Sequence, residues 1–430
     1  MRLKCASTFL ILLLPILFFY GCESTSSSSD GHVQEALPQS VETAKVELIR
    51  TQSSHGNGMG NGTGYYSLLF NEDTTSNIVY SDYSSQEQIY LCNRPECTHN
   101  DETCTSWLGV LYGGGNVFLL ESKLLIIQWG SYSYVEEKGE IALPTIFTAD
   151  LDGTNRKVCA RLKATEQIEG GLAVSDNDLY FIKNILVVEK GSDTACVLTR
   201  LNLETGEETE IKEFSENAFL QGSFDHDLVI KTLSTLQPDE ISEEEDWTDA
   251  INNTQNKIMV LDLQGNAIRE ITWQHEDYIS QCFDDALYRI DLKTKELIRT
   301  SLDTGETDKI CTVAFEIIPN STTIHQKLEN YLIIEVIDLG DSPDQKQTDR
   351  FAVNCSTGET SPLTLKMQER GRMMPIEVWD EYKDYYYVCA DTVDSGRGFA
   401  FAVGALISKN DYWGNNDNYI WLNNLVQKMK

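Results

Sequence analysis

From about residue 60 onward the chain alternates short apolar runs with polar clusters, and helical periodicity is almost absent. Asp178-Leu179-Tyr180-Phe181-Ile182, Asp227-Leu228-Val229-Ile230, Tyr331-Leu332-Ile333-Ile334-Glu335-Val336 and Asp384-Tyr385-Tyr386-Tyr387-Val388-Cys389 are rich in β-branched or aromatic residues, with polar turn residues before them. Such runs predict strands. Between them one unit recurs: an apolar stretch ends in a short polar turn, and glycine opens the return. Its copies read Ala149-Asp150-Leu151-Asp152-Gly153-Thr154, Leu201-Asn202-Leu203-Glu204-Thr205-Gly206-Glu207, Leu261-Asp262-Leu263-Gln264-Gly265-Asn266, Ser301-Leu302-Asp303-Thr304-Gly305-Glu306 and Asn354-Cys355-Ser356-Thr357-Gly358-Glu359. Glycine fits because a tight hairpin requires positive φ, which a β-carbon penalises. The five glycines fall 53, 59, 40 and 53 residues apart. A period near 50 residues filled with short strands predicts an all-β fold, a β-propeller rather than a sandwich. Asn77 to Tyr83 with Gln88 to Leu91 reads as an earlier copy and Pro375 to Leu422 as a last one. Seven blades are therefore expected, with six and eight as the neighbouring counts.

The N-terminus follows a different pattern. Arg2 and Lys4 precede an apolar run from Phe9 to Tyr20, the charge order and length of a secretory signal core, too short to span a bilayer. Phe19-Tyr20-Gly21-Cys22 resembles the lipobox of bacterial lipoproteins, although Phe19 stands where that family usually carries leucine. The resemblance implies that Cys22 receives a thioether-linked diacylglycerol and becomes the first mature residue, with cleavage elsewhere as an ordinary signal peptide the alternative. Two acyl chains anchor without a transmembrane helix. Ser24 to Ser29 holds only Ser and Thr, the composition of a tether. Residues 1–21 thus read as signal peptide, 22–60 as lipidated cysteine and tether, and 61–430 as propeller. The expected location is the extracytoplasmic face of the bacterial cell membrane. The glycines at 56, 58, 60, 62 and 64 match neither the phosphate-loop nor the dinucleotide pattern and read as linker or entry to the first strand.

Composition narrows the function classes. With 41% hydrophobic residues the 430-residue chain can bury a large core. Asp plus Glu outnumber Lys plus Arg by 67 to 34, a net charge of -33 that repels phosphate backbones, so a nucleic-acid partner is not expected.

The turn Asp150-Leu151-Asp152-Gly153-Thr154-Asn155 makes the body similar to the periplasmic TolB-like and YWTD-like propellers. Tyr90-Leu91-Cys92-Asn93-Arg94-Pro95-Glu96-Cys97-Thr98-His99 and Ala405-Leu406-Ile407-Ser408-Lys409-Asn410-Asp411-Tyr412-Trp413 resemble two landmarks of uncharacterised lipoproteins of gut Firmicutes. That resemblance implies a lipobox and a propeller, without a mechanism, and a propeller hosts binding, catalysis and scaffolding alike.

The strongest candidate chemistry is Cys92-x4-Cys97-x-His99-x4-Cys104. Three thiolates and an imidazole form a complete tetrahedral zinc set, and Cys97 and His99, two apart on extended chain, face the same side. Four protein ligands leave no open position for water or substrate, so a metal here is structural. A disulfide between two of the cysteines and three reduced thiols are the alternatives. Cys159, Cys196, Cys282, Cys311, Cys355 and Cys389 stand alone and read as small buried hydrophobes.

Catalytic patterns are missing. The sequence holds no Gly-x-Ser-x-Gly elbow and no His-Glu-x-x-His, and His32, His55, His226, His275 and His325 are scattered. The acidic run from Asp239 to Trp247 reads as a solvated insertion, and Asp176-Asn177-Asp178 as a turn. The expectation is a binding module for a protein, peptide or glycan. An enzyme acting on polysaccharide or peptide at the central funnel, or an envelope scaffold, are the alternatives. Glycosidase chemistry requires two carboxylates about 5 to 9 Å apart in that funnel.

Overall fold

The computed structural model describes residues 45–50, 58–186, 194–234, 254–274, 277–338, 340, 347–394 and 400–428. The signal segment, Cys22, His32, His55, His275 and the acidic run at 239–247 lie outside these residues. The body is a β-propeller of seven four-stranded antiparallel blades. Blade one holds Met59–Gly60, Gly64–Phe70, Thr75–Asp82 and Glu87–Tyr90, and blade two holds Gly115–Leu119, Lys123–Gln128, Thr145–Asp150 and Lys157–Arg161. Blade three (Glu166–Ser175 to Glu208–Phe214), blade four (Asn217–Phe224 to Ala267–Gln274) and blade five (Tyr278–Phe283 to Thr307–Thr312) follow. Blade six (Thr322–Leu328 to Thr360–Leu363) leads through a two-stranded hairpin, Lys366–Glu369 with Arg372–Pro375, to blade seven (Glu377–Tyr382 to Tyr419–Trp421).

The middle strands are continuously apolar because both faces of a blade are buried. Leu228 and Ile230 pack towards blade three while Val229 packs towards blade five. Leu125 and Ile127 likewise face blade three, and Leu124 and Ile126 face blade one. A strand alternates its side chains, so one run supplies two seams.

The glycine period marks equivalent hairpins. Gly153, Gly206, Gly265, Gly305 and Gly358 all sit between the third and fourth strands of blades two to six, with φ between +73° and +84°. Each is also pressed against the preceding blade. A β-carbon on Gly206 would lie 2.7 Å from the Cys159 carbonyl oxygen, and one on Gly358 2.7 Å from Cβ of Cys311. Two-residue turns between first and second strands place Asp176, Asp225, Asp284, Glu329 and Lys383 at positive φ, which confirms Asp176-Asn177 as a turn.

Among the described residues, the terminal blades exchange no strand where the ring closes. Tyr83 donates its hydroxyl to Asp380 at 2.6 Å, and Tyr65 stacks on Trp379 at 5.8 Å between centroids. Past the last strand, Asn423 donates its backbone N–H to the Gln86 carbonyl and accepts from Gln88, clasping blade seven to the outer strand of blade one.

Part of the stretch read as tether belongs to the body. Glu47–Arg50 pairs antiparallel with Glu166–Ser175, Glu47 opposite Val174, and gives blade three a fifth strand on its inner edge. Val46 and Ile49 are buried there, and Val46 hydrogen-bonds Asp225 of blade four. Four residues between polar segments carry too little pattern to reveal a partner some 120 positions away.

Candidate metal centre

The four predicted ligands converge in a break within the outer strand of blade one. The outer strand of that blade is split. Glu87–Tyr90 pairs with the far end of Thr75–Asp82, residues 91–106 leave the sheet, and Trp107–Val110 resumes pairing with the near end of the same strand. At the gap the Ile78 carbonyl accepts from Leu91 N–H and from Ser106 Oγ, while Ile78 N–H donates to the Ser106 carbonyl. Cys92, Cys97, His99 and Cys104 all lie on this excursion.

Local geometry draws the ligands together. Pro95 and Glu96, the latter at φ 59°, turn the chain so that Cys97 N–H reaches the Arg94 carbonyl at 3.4 Å. His99 is also left-handed, at φ 56°, so the extended geometry expected from Cys97 to His99 is replaced by a turn. Its ring stacks on Tyr90 at 4.3 Å, and its carbonyl accepts from Asn77 Nδ2 at 2.9 Å. From blade two Arg156 donates to the carbonyls of Thr105 and Trp107, at 2.6 and 2.8 Å.

One ligand atom from each of the four residues lies within 4.8 Å of the others, and His99 Nδ1 is 3.3 Å from Cys104 Sγ. Tetrahedral bonds of about 2.3 Å place sulfurs about 3.8 Å apart, so the set fits one soft divalent ion after a small contraction. Cys104 is buried, Cys92 and Cys97 are half-buried, and no disulfide joins any described cysteines. Burial works against a charge on Cys92, yet the Arg94 backbone N–H, the neighbouring thiols and the Arg94 guanidinium bring its thiol down to about 6. Burial pushes Cys104 up to about 11 against hydrogen bonds from the Ser106 and Trp107 backbone. A metal ion binds thiolates, so loading this centre would displace the thiol protons. Of the six separate cysteines, Cys196, Cys282 and Cys389 are buried as expected, whereas Cys159, Cys311 and Cys355 are only half-buried.

A second cluster, which sequence patterns did not reveal, lies between blades six and seven. Arg350 is 4% exposed and bonds Glu335 Oε2 at 2.7 Å, Glu377 Oε1 at 2.5 Å and the Ile376 carbonyl. His325 Nε2 meets Glu377 Oε2 at 3.1 Å. Burial alone would raise the Glu377 carboxyl, but His325 and Arg350 together hold it down to about 2. His325, Glu335 and Glu377 have metal-ligand chemistry, but the guanidinium already forks both carboxylates. A third cluster, in blade three, gathers Glu166, Glu208 and Glu210 around buried Lys183.

Two cavities are lined by described residues. One of about 280 Å³ opens between blades one and seven, beside Leu69, Phe70, Trp379, Phe401 and Val426. A smaller one of about 130 Å³ lies by Tyr132, Gln167, Asn184 and Leu186. Neither lining contains a carboxylate or an imidazole.

No protein-family model matches the chain, and no curated protein matches it in sequence. In fold it is similar to an oligogalacturonate lyase solved with manganese, at 13% identity and a TM-score of 0.48, over 86% of this chain and 92% of that one. A puromycin-hydrolyzing peptidase of Mycobacterium tuberculosis is similar at 8% identity and a TM-score of 0.48, over 86% of this chain and 52% of that one. TolB from Acinetobacter baumannii is similar at 12% identity and a TM-score of 0.34, over 80% and 76%.

Proposed function

We propose that this protein is a lipid-anchored, extracytoplasmic propeller that binds a protein, peptide or glycan, and that Cys92, Cys97, His99 and Cys104 hold a structural zinc. The binding reading is supported by the fold itself, a ring of seven blades that presents its connecting loops for recognition. Glu335 and Glu377 share one buried guanidinium, so this carboxylate pair is engaged in holding blades six and seven together. The apolar run to Tyr20, Gly21-Cys22 and the Ser/Thr stretch support export, a lipid anchor and a tether. Three thiolates with one imidazole suit zinc, and four protein ligands leave no position for substrate.

Affinity capture of the full chain from native membranes tests the binding reading. Recovery of a defined protein or glycan partner supports it; turnover of polysaccharide or peptide by the purified protein, with no partner retained, overturns it. Cys22→Ala tests the anchor, with release from membranes or an uncleaved precursor expected. A processed mutant that stays membrane-bound overturns the lipoprotein reading.

A further inference from the structure

We infer that Arg94 is the outer charge partner of the Cys92, Cys97, His99 and Cys104 centre and sets how tightly that centre holds a divalent metal. The inference rests on the zinc reading. A divalent ion with three thiolates and a neutral imidazole carries one net negative charge, inside a chain whose own net charge is -33. Such a centre gains from a fixed cation at its edge.

Arg94 is placed to supply it. Its Nη2 lies 3.1 Å from Cys97 Sγ and 2.9 Å from Thr103 Oγ1, so one nitrogen reaches both a ligand sulfur and the far side of the loop. Thr103 in turn donates its hydroxyl and its backbone N–H to Asp101. Glu96, Asp101 and Glu102 share the loop, yet no carboxylate among the described residues forms an ion pair with Arg94. The exposed Arg94 guanidinium meets a ligand sulfur across the Arg94 to Cys97 turn. An N–H···S bond withdraws charge from the thiolate, and partners outside the ligand set commonly change metal affinity by about 10- to 100-fold. Arg94 touches a ligand and not the ion, so it is a positioning residue.

The test uses full-length protein and zinc alone, titrated against a chromophoric chelator, with cobalt(II) substituted to read the sulfur environment. Arg94→Ala is expected to weaken zinc binding about 10- to 100-fold and to move the thiolate-to-cobalt charge-transfer band to lower energy. Arg94→Lys, which keeps the charge and loses the planar fork, is expected to fall between Arg94→Ala and the parent. Unchanged affinity and an unchanged band in Arg94→Ala overturn the inference and leave the zinc reading standing. Equal losses of stability in metal-free and metal-loaded Arg94→Ala also overturn it, since the arginine would then hold the loop alone. A parent protein that takes up no metal removes the zinc reading and this inference with it.

Discussion

Asn77, on the third strand of blade one, donates its side-chain amide to the His99 carbonyl at 2.9 Å and to Ser106 Oγ at 3.1 Å. One buried amide thus ties the sheet to both the ligand excursion and its point of return. Asn77→Ala leaves the His99 carbonyl without this donor and removes the acceptor of Asn71 Nδ2. A loss of about 2 to 3 kcal/mol is expected in urea denaturation. Asn71→Ala, at the more open end of the same chain of bonds, should cost less.

Removing metal should act locally. A thiol-competent chelator is expected to lower the midpoint of thermal unfolding and to raise hydrogen exchange in residues 91–107 and in the blade-two hairpin around Gly153, which rests on the Thr105 carbonyl. Blade five should keep its protection. Equal exchange in all blades, or none, counts against a centre that staples one outer edge.

Two glycines separate backbone strain from crowding. Gly371 has φ +81° and open space, with no atom within 4 Å of where a β-carbon would sit, whereas Gly358 has φ +73° and faces Cys311 Cβ and the Ile310 carbonyl. Gly371→Ala should cost about 1 to 2 kcal/mol and Gly358→Ala roughly 3 kcal/mol or more in chemical denaturation.

Acid should loosen the seam between blades six and seven. Glu377 is held below its ordinary value, so its contribution is fully present above the unfolded carboxylate range and is lost as pH falls towards about 2. Relative to the parent, Glu377→Gln should lose stability at neutral pH and show a shallower fall between about pH 4.3 and 2, read from denaturation midpoints across pH. A parallel profile would show that the carboxylate is not the titrating group.

Lys183, fully buried, lies 3.5 Å from Glu166 and 2.5 Å from Glu208. Lys183→Ala leaves the buried Glu166 carboxylate with only exposed Lys163 and should cost about 3 to 5 kcal/mol. Lys183→Met combined with Glu166→Gln should recover much of that loss, measured by the same denaturation curves.

Repetition made the fold legible. The glycines from Gly153 to Gly358 mark one hairpin in five successive blades because the same turn must be left-handed and must press on the blade before it. Cys92, Cys97, His99 and Cys104 were legible because their ligands are close in sequence and chemically uncommon. What escaped depends on register between distant segments. Lys183 reaches Glu208 and Glu210 two strands away in the same blade, and Arg350 meets Glu377 across a seam; nothing local in Asp178-Leu179-Tyr180-Phe181-Ile182-Lys183 announces either kind of partner. The split outer strand escaped for a related reason. Leu91 and Ser106 share Ile78, but sequence shows only a strand that stops.

Glu47–Arg50 also determines how the ring responds to tension on its leading end. A pull applied ahead of Lys45 first loads the Val46 bond to Asp225, where blades three and four meet, and then this short inner strand. Peeling it away releases residues 47–50, about 13 to 14 Å of extended chain, while blade one and its clasp at Asn423 stay unloaded. The strand is a mechanical fuse: it yields a length of slack before any blade is opened.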